Sequence, residues 1–89
     1  MKLRNDLTLR KIGGEYLIVE PGKGTTDLSN VYSLNWTAAW LWDELKGKEF
    51  TTEDVARLLI EEYQLDPRTA YIDGDKILTS FRAQNLILP

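Results

Sequence analysis

SLNWTAAWLWDEL, residues 33–45, decides how this chain is built. It begins at the end of an alternating apolar pattern and continues with a helical one, so strand gives way to helix inside it. Asn35 marks the change, because its side-chain oxygen suits the free N–H groups of a helix's first turn. From there Ala38, Leu41, Trp42 and Leu45 fall on one stripe, and Gly47 stops the helix after about Lys46. All three tryptophans of the 89-residue chain lie in this stretch. Trp42 is the largest member of the core stripe. Trp36 and Trp40 lie one turn apart on the opposite face, beside Asp43 and Glu44. Two readings stand for this pair. They pack on the N-terminal strands or the loop after them, or they form a contact surface for a partner or for a homodimer.

Upstream, residues 7–20 read LTLRKI-GG-EYLIVE. Two short runs rich in apolar and β-branched residues flank Gly13-Gly14, and a two-residue primed turn needs the positive φ that glycine adopts freely. The register this sets puts Leu9 opposite Ile18 and Lys11 opposite Tyr16. Leu7, Leu9, Tyr16 and Ile18 then share one face. Thr8, Arg10, Ile12, Leu17 and Val19 share the other, which is apolar enough that cover on both sides is expected. PGKGTTD, residues 21–27, is a loop by composition, and its G-x-G lacks the strand-to-helix context of a phosphate site. Residues 28–34, LSNVYSL, alternate as a third strand. Leu28, Tyr32 and Leu34 lie on one face and Val31 on the other.

Downstream, Thr51 caps a second helix over about 51–64, with Asp54 in the capping-box position. Val55, Leu58, Leu59 and Tyr63 form its buried stripe, widened by Ala56 and Ile60. Asp66 before Pro67 starts a third helix, about 67–84, whose inner face holds Ala70, Gly74, Ile77, Leu78 and Phe81. A glycine in mid-helix costs about 1 kcal/mol against alanine, so a close backbone contact is expected at Gly74. Leu86 and Leu88 are expected to pack back on the core. Three strands followed by three helices read as α+β in one domain of residues 1–89, with the helices laid on an antiparallel sheet.

Composition narrows the function. The chain contains no histidine and no cysteine. The commonest general base, the thiol nucleophile and the usual zinc ligands are therefore missing, and an enzyme built on carboxylates alone is a poor fit. Residues 1–11 carry a net +3 and residues 43–66 a net −5. Helix three sets Arg68, Lys76 and Arg82 against Asp73 and Asp75. A nucleic-acid binder needs a basic face, so no nucleic-acid partner is expected, although a winged-helix regulatory or nucleic-acid-binding domain is the alternative reading. No apolar run approaches a membrane span and the N-terminus lacks a signal-peptide core, so the expectation is a cytoplasmic protein with no membrane partner. Most paired carboxylates read as solvated helix faces and caps. Asp73 borders the inner face of helix three and has two readings, a structural anchor or a ligand contact. If the third strand lies at the sheet edge, its unpaired N–H and C=O groups can accept an added strand.

The string LNWTAAWLWDEL resembles the hallmark of the PqqD family. The matching positions are Leu34, Asn35, Thr37, Ala38, Ala39, Leu41, Trp42, Asp43 and Leu45. Thr51, Glu53, Tyr63, Asp66, Ala70, Asp73, Ile77, Leu78, Phe81 and Leu86 follow in the family's order. Gly74 departs from the pattern, where an aliphatic residue is usual, and Trp36 and Trp40 occupy places the pattern leaves open. The resemblance implies a winged-helix-like fold and a non-catalytic peptide chaperone without a cofactor. Such a protein binds the leader of a ribosomally made precursor peptide and presents it to a modifying enzyme, commonly a radical SAM protein. The resemblance places the leader as a strand added along Val31, Tyr32, Ser33 and Leu34. Asp73, Lys76, Ile77 and Ser80 of helix three form the facing wall. Trp36 and Trp40 are then a separate surface for the partner enzyme.

Overall fold

The computed structural model describes residues 1–19 and 31–89. The loop at 21–27, the start of the expected third strand with Leu28, and the face taken by the Val31 side chain lie outside the described residues. The elements run β1 (Thr8–Ile12), β2 (Glu15–Val19), β3 (Val31–Leu34), α1 (Trp36–Leu45), α2 (Thr52–Tyr63) and α3 (Pro67–Ala83). The strands form one antiparallel sheet in the order β1-β2-β3.

Gly13 and Gly14 both take positive φ, 57° and 87°, as a primed turn requires. The register that follows pairs Leu9 with Ile18 and Lys11 with Tyr16. On the next ladder Tyr16 pairs with Leu34 and Ile18 with Tyr32. One face of the sheet thus gathers Leu9, Tyr16, Ile18, Tyr32 and Leu34. Ile18 and Leu34 are buried there, with the others packed around the core. Among the described residues the second face is covered only in part. Thr8, Arg10 and Ile12 are exposed, Ile12 at 56%, and Leu17 and Val19 are only half-buried. At Thr8 and Ile12 the β-branched character of that face reflects strand preference rather than burial.

Each helix begins on a cap that its sequence announces. The Asn35 carboxamide oxygen accepts from the Ala38 N–H at 2.8 Å. Thr51 and Asp54 exchange bonds in a full capping box. Asp66 accepts from the N–H and the hydroxyl of Thr69, both at 3.1 Å, and Pro67 follows in the first turn. The third helix ends on Asn85 at φ 58°, in the left-handed region. There Leu86 N–H returns to Phe81 C=O and Asn85 N–H to Arg82 C=O. This is the Schellman pattern, and the apolar pair that accompanies it is Leu86 with Phe81, both buried.

The caps also tie stability to pH. Asp54 is held below the ordinary carboxyl value of 3.8 by the Thr51 backbone N–H and hydroxyl, with a smaller part from Arg57. Asp66 is held below 3.8 by the Thr69 hydroxyl and backbone N–H. A carboxyl whose folded pKa is depressed contributes stability above its unfolded value and loses it as pH falls through the folded value. The thermal midpoint should therefore be flat near neutrality and should fall as pH drops below 3.8. In an Asp54→Asn, Asp66→Asn double variant, melts across that window should show a shallower acid slope than the parent.

The core is assembled where α1, α2 and α3 meet the sheet. Trp42, 2% exposed, meets Phe81 edge to face with ring centres 5.9 Å apart, which joins α1 to α3. Gly74 is buried against α2, and a Cβ built there would lie 3.1 Å from a Val55 methyl. Val55 is fully buried and has little room to yield. Gly74→Val adds two further carbons at this crossing and should destabilise by about 2–3 kcal/mol, read from the urea midpoint.

The two chain ends close the fold beside the helices. The Met1 ammonium donates to Phe50 C=O at 2.7 Å, and Phe50 N–H donates to Met1 C=O at 2.8 Å. Leu3 bridges Ile87, with Arg4 N–H on Leu86 C=O and Leu88 N–H on Lys2 C=O. Leu88 is a correction to the sequence reading. It is 44% exposed, and Leu86 and Ile87 supply the packing instead. Leu86 is seated by the Schellman turn against Phe81 and Ile87 by its bridge to Leu3, whereas Leu88 lies past both.

Candidate functional site

Among the described residues β3 has a paired neighbour only on its β2 side, so its other edge is open. Alternate residues of a strand direct their N–H and C=O to opposite edges. Two of its four residues therefore present main-chain donors and acceptors outward. The wall facing that edge is α3.

Two adjoining hollows occupy the cleft. The first, about 250 Å3, lies between β3 and α3. Ser33, Leu34, Lys76, Ile77 and Ser80 line it, together with Asn35, Ala38 and Phe81. The second, about 410 Å3, lies where the start of α1 faces the end of α2 and the middle of α3. Asp73, Lys76 and Ile77 line it with Asn35, Thr37, Leu59, Tyr63 and Leu65. Asn35, Lys76 and Ile77 are shared, so the two hollows form one continuous groove.

The structure brings most of the residues singled out from the sequence to this groove. Ser33, Lys76 and Ser80 are exposed, Asp73 and Ile77 are half-buried, and Leu34 forms part of the buried floor. Tyr32 is half-buried on the core side of β3 and lines neither hollow. Val31 contributes its backbone, paired with Val19. Among the described residues Lys76 and Asp73 are the only charged ones in the lining. Ile77, Leu59 and Leu65 supply apolar surface in the second hollow, and Leu34, Ala38, Ile77 and Phe81 in the first. Such a surface suits an extended peptide that alternates apolar and polar side chains.

Tyr63 corrects the reading of α2. Helical spacing places it in the buried stripe, but it is 38% exposed. The helix ends at Tyr63, with Gln64 in the left-handed region at φ 54°, so no following turn covers the ring. Its hydroxyl lies 3.3 Å from that of Thr37. Asn35, Thr37, Tyr63 and Leu65 are groove residues that sequence reasoning left out. Asn35 was legible only as a cap, and nothing in its pattern distinguishes a cap that also lines a cleft.

Trp36 and Trp40 lie outside the groove and differ from one another. Trp36 is 64% exposed and meets Tyr16 edge to face at 5.9 Å. Trp40 is half-buried against the core and meets Tyr63 edge to face at 5.9 Å. The helical projection put both on the outer face. The end of α2 rises far enough to cover part of Trp40, which a single-helix projection does not register.

Comparison with known proteins bears on the family and the fold. The family model described as coenzyme PQQ synthesis protein D (PqqD) matches residues 15–87. No curated protein matches the chain at a significant level. Among solved structures, TbiB1 in complex with the TbiA(beta) leader peptide superposes with a TM-score of 0.70 at 22% identity. That match covers 98% of this chain and 94% of the other. Lasso peptide synthetase B1 complexed with the leader peptide superposes with a TM-score of 0.70 at 24% identity, covering 99% and 96%. At these identities the likeness is one of fold.

Proposed function

The chain belongs to the PqqD family, and on that footing we propose that it is a carrier of precursor leader peptides. It binds the leader of a ribosomally made precursor as an added strand on β3 and holds it for a separately folded modifying enzyme. One observation carries this reading: the open edge of β3 and the exposed face of α3 wall a single groove. Main-chain bonds to β3 supply affinity with little regard to sequence. The groove then selects by side chain, every second residue of the added strand falling towards it. Ile77 offers the apolar contact common to both hollows, and Asp73 and Lys76 offer opposite charges to the leader's polar positions. Their share of the affinity is small, since an exposed ion pair contributes at most about 1 kcal/mol.

The recipient implied by the family resemblance is a radical SAM enzyme. The two solved neighbours bind leader peptides themselves, and one is named as part of a lasso peptide synthetase. The test begins with the precursor encoded nearest the gene. A fluorescently labelled peptide spanning its leader should bind saturably, and a scrambled peptide of the same composition should not. Equal binding of the two would end the reading. Mixing the loaded carrier with each neighbouring enzyme on a sizing column then identifies the recipient. Co-elution with a radical SAM enzyme supports the family's usual pairing, and co-elution only with a peptidase or cyclase replaces it.

A further inference from the structure

On the side of α1 away from the groove, Tyr16, Trp36, Ala39, Trp40 and Asp43 enclose a hollow of about 140 Å3. It shares no lining residue with either hollow of the groove. Trp36, Trp40 and Asp43 follow one another at helical spacing, while Ala38 and Leu41 of the same helix are buried in the core. Tyr16 comes from β2, where it pairs with Leu34. Three aromatic rings and one carboxylate therefore border a small open cavity. Among the described residues nothing bonds to the Asp43 carboxylate. The aromatic character exceeds what the fold needs, because Trp42 already fills the core and Trp36 is 64% exposed.

The chemistry of such a hollow is specific. An aromatic face is negative at its centre and attracts a cation, tryptophan most strongly. A carboxylate beside the rings adds charge and two acceptors. A planar guanidinium satisfies both, stacking on the indole while its N–H fork meets the carboxylate. The surface already holds one such contact. The ammonium of Lys11, which does not line the hollow, lies 5.7 Å from the centre of the Tyr16 ring.

Building on the carrier role proposed above, we infer that this hollow receives an arginine side chain of a second polypeptide while the leader occupies the groove. A carrier must hold its cargo and its recipient at once, and two surfaces with no common lining residue permit that. The occupant is thus an arginine presented by the modifying enzyme, not a residue of the leader.

The test uses the intact protein with 15N-labelled tryptophan and N-acetylarginine methylamide as probe, against the neutral N-acetylcitrulline methylamide. The arginine probe should shift the indole N–H signals of Trp36 and Trp40 saturably, at least about tenfold more tightly than the citrulline probe. Asp43→Asn should weaken the response and Trp36→Ala should abolish it, with thermal midpoints close to the parent. Backbone amides of Ser33 and Ser80, followed in uniformly labelled protein, should stay in place. The response should persist when the leader peptide is bound. Equal shifts with both probes, or none with either, overturn the inference. So does loss of the arginine response on adding leader, which would give the hollow to the cargo. Failure of the leader to bind is read separately, in the same tube without probe. It would strike the carrier reading while leaving the recognition of arginine standing or falling on its own shifts.

Discussion

Trp42→Ala should lower the unfolding free energy by about 3–5 kcal/mol. A chain of this length has about 4–13 kcal/mol in total, so the variant should be close to unfolding at ambient temperature. The reasoning starts from position. Trp42 is 2% exposed and forms the α1 side of the contact with Phe81. Replacing it leaves a cavity beside Phe81, itself 1% exposed, in a core whose other members are fixed by their own elements. Such a site collapses poorly, so the cavity persists. The edge-to-face ring contact is lost as well. Urea unfolding followed by far-ultraviolet circular dichroism gives the number free of any loss of tryptophan fluorescence. A Trp36→Ala control, made at a residue 64% exposed, should change stability by less than about 1 kcal/mol. If the two variants lose the same amount, the assignment of core and surface tryptophans is wrong.

Ile77→Asp should weaken leader binding by about thirtyfold, or roughly 2 kcal/mol. Ile77 is half-buried and belongs to both hollows, so it stands at the middle of the groove. Contacts at the centre of an interface, where water is excluded, dominate its energy. An aspartate there removes the apolar contact and leaves a carboxylate to be desolvated under the peptide. Its cost to folding should be smaller, since the side chain is not fully enclosed. Binding and thermal midpoint are therefore measured on the same preparation. Ser80→Ala, at the exposed rim, should change affinity by no more than about twofold. A leader that binds Ile77→Asp as tightly as the parent would remove the groove from the account.

Much of the architecture was legible because local chemistry dictated it. Gly13-Gly14 set the hairpin register, and Asn35, Thr51 and Asp66 each began a helix on the strength of a side-chain acceptor. Gly74 announced a close crossing, and the crossing is with Val55. The misses share a cause. Leu3 and Phe50 are both 3% exposed, yet they belong to no periodic pattern. They are buried because the first residues of the chain pair with Phe50 and with the tail, contacts far apart in sequence. Tyr63 and Trp40 were placed by projecting single helices, whereas their exposure depends on where the neighbouring helix ends. The groove was harder still. Its positions on β3 and α3 came from family resemblance, and the structure added Asn35, Thr37, Tyr63 and Leu65 from three other segments. A cleft between elements leaves no period in any one of them.

The most direct test of the central claim is an amide NMR titration of the labelled protein with the leader peptide of its neighbouring precursor. Binding as an added strand predicts saturable shifts in residues 31–34 and 73–80, with intermolecular cross-peaks between peptide and β3 backbone protons. Shifts confined to the Trp36 and Trp40 face, with β3 amides unmoved at saturation, would contradict it.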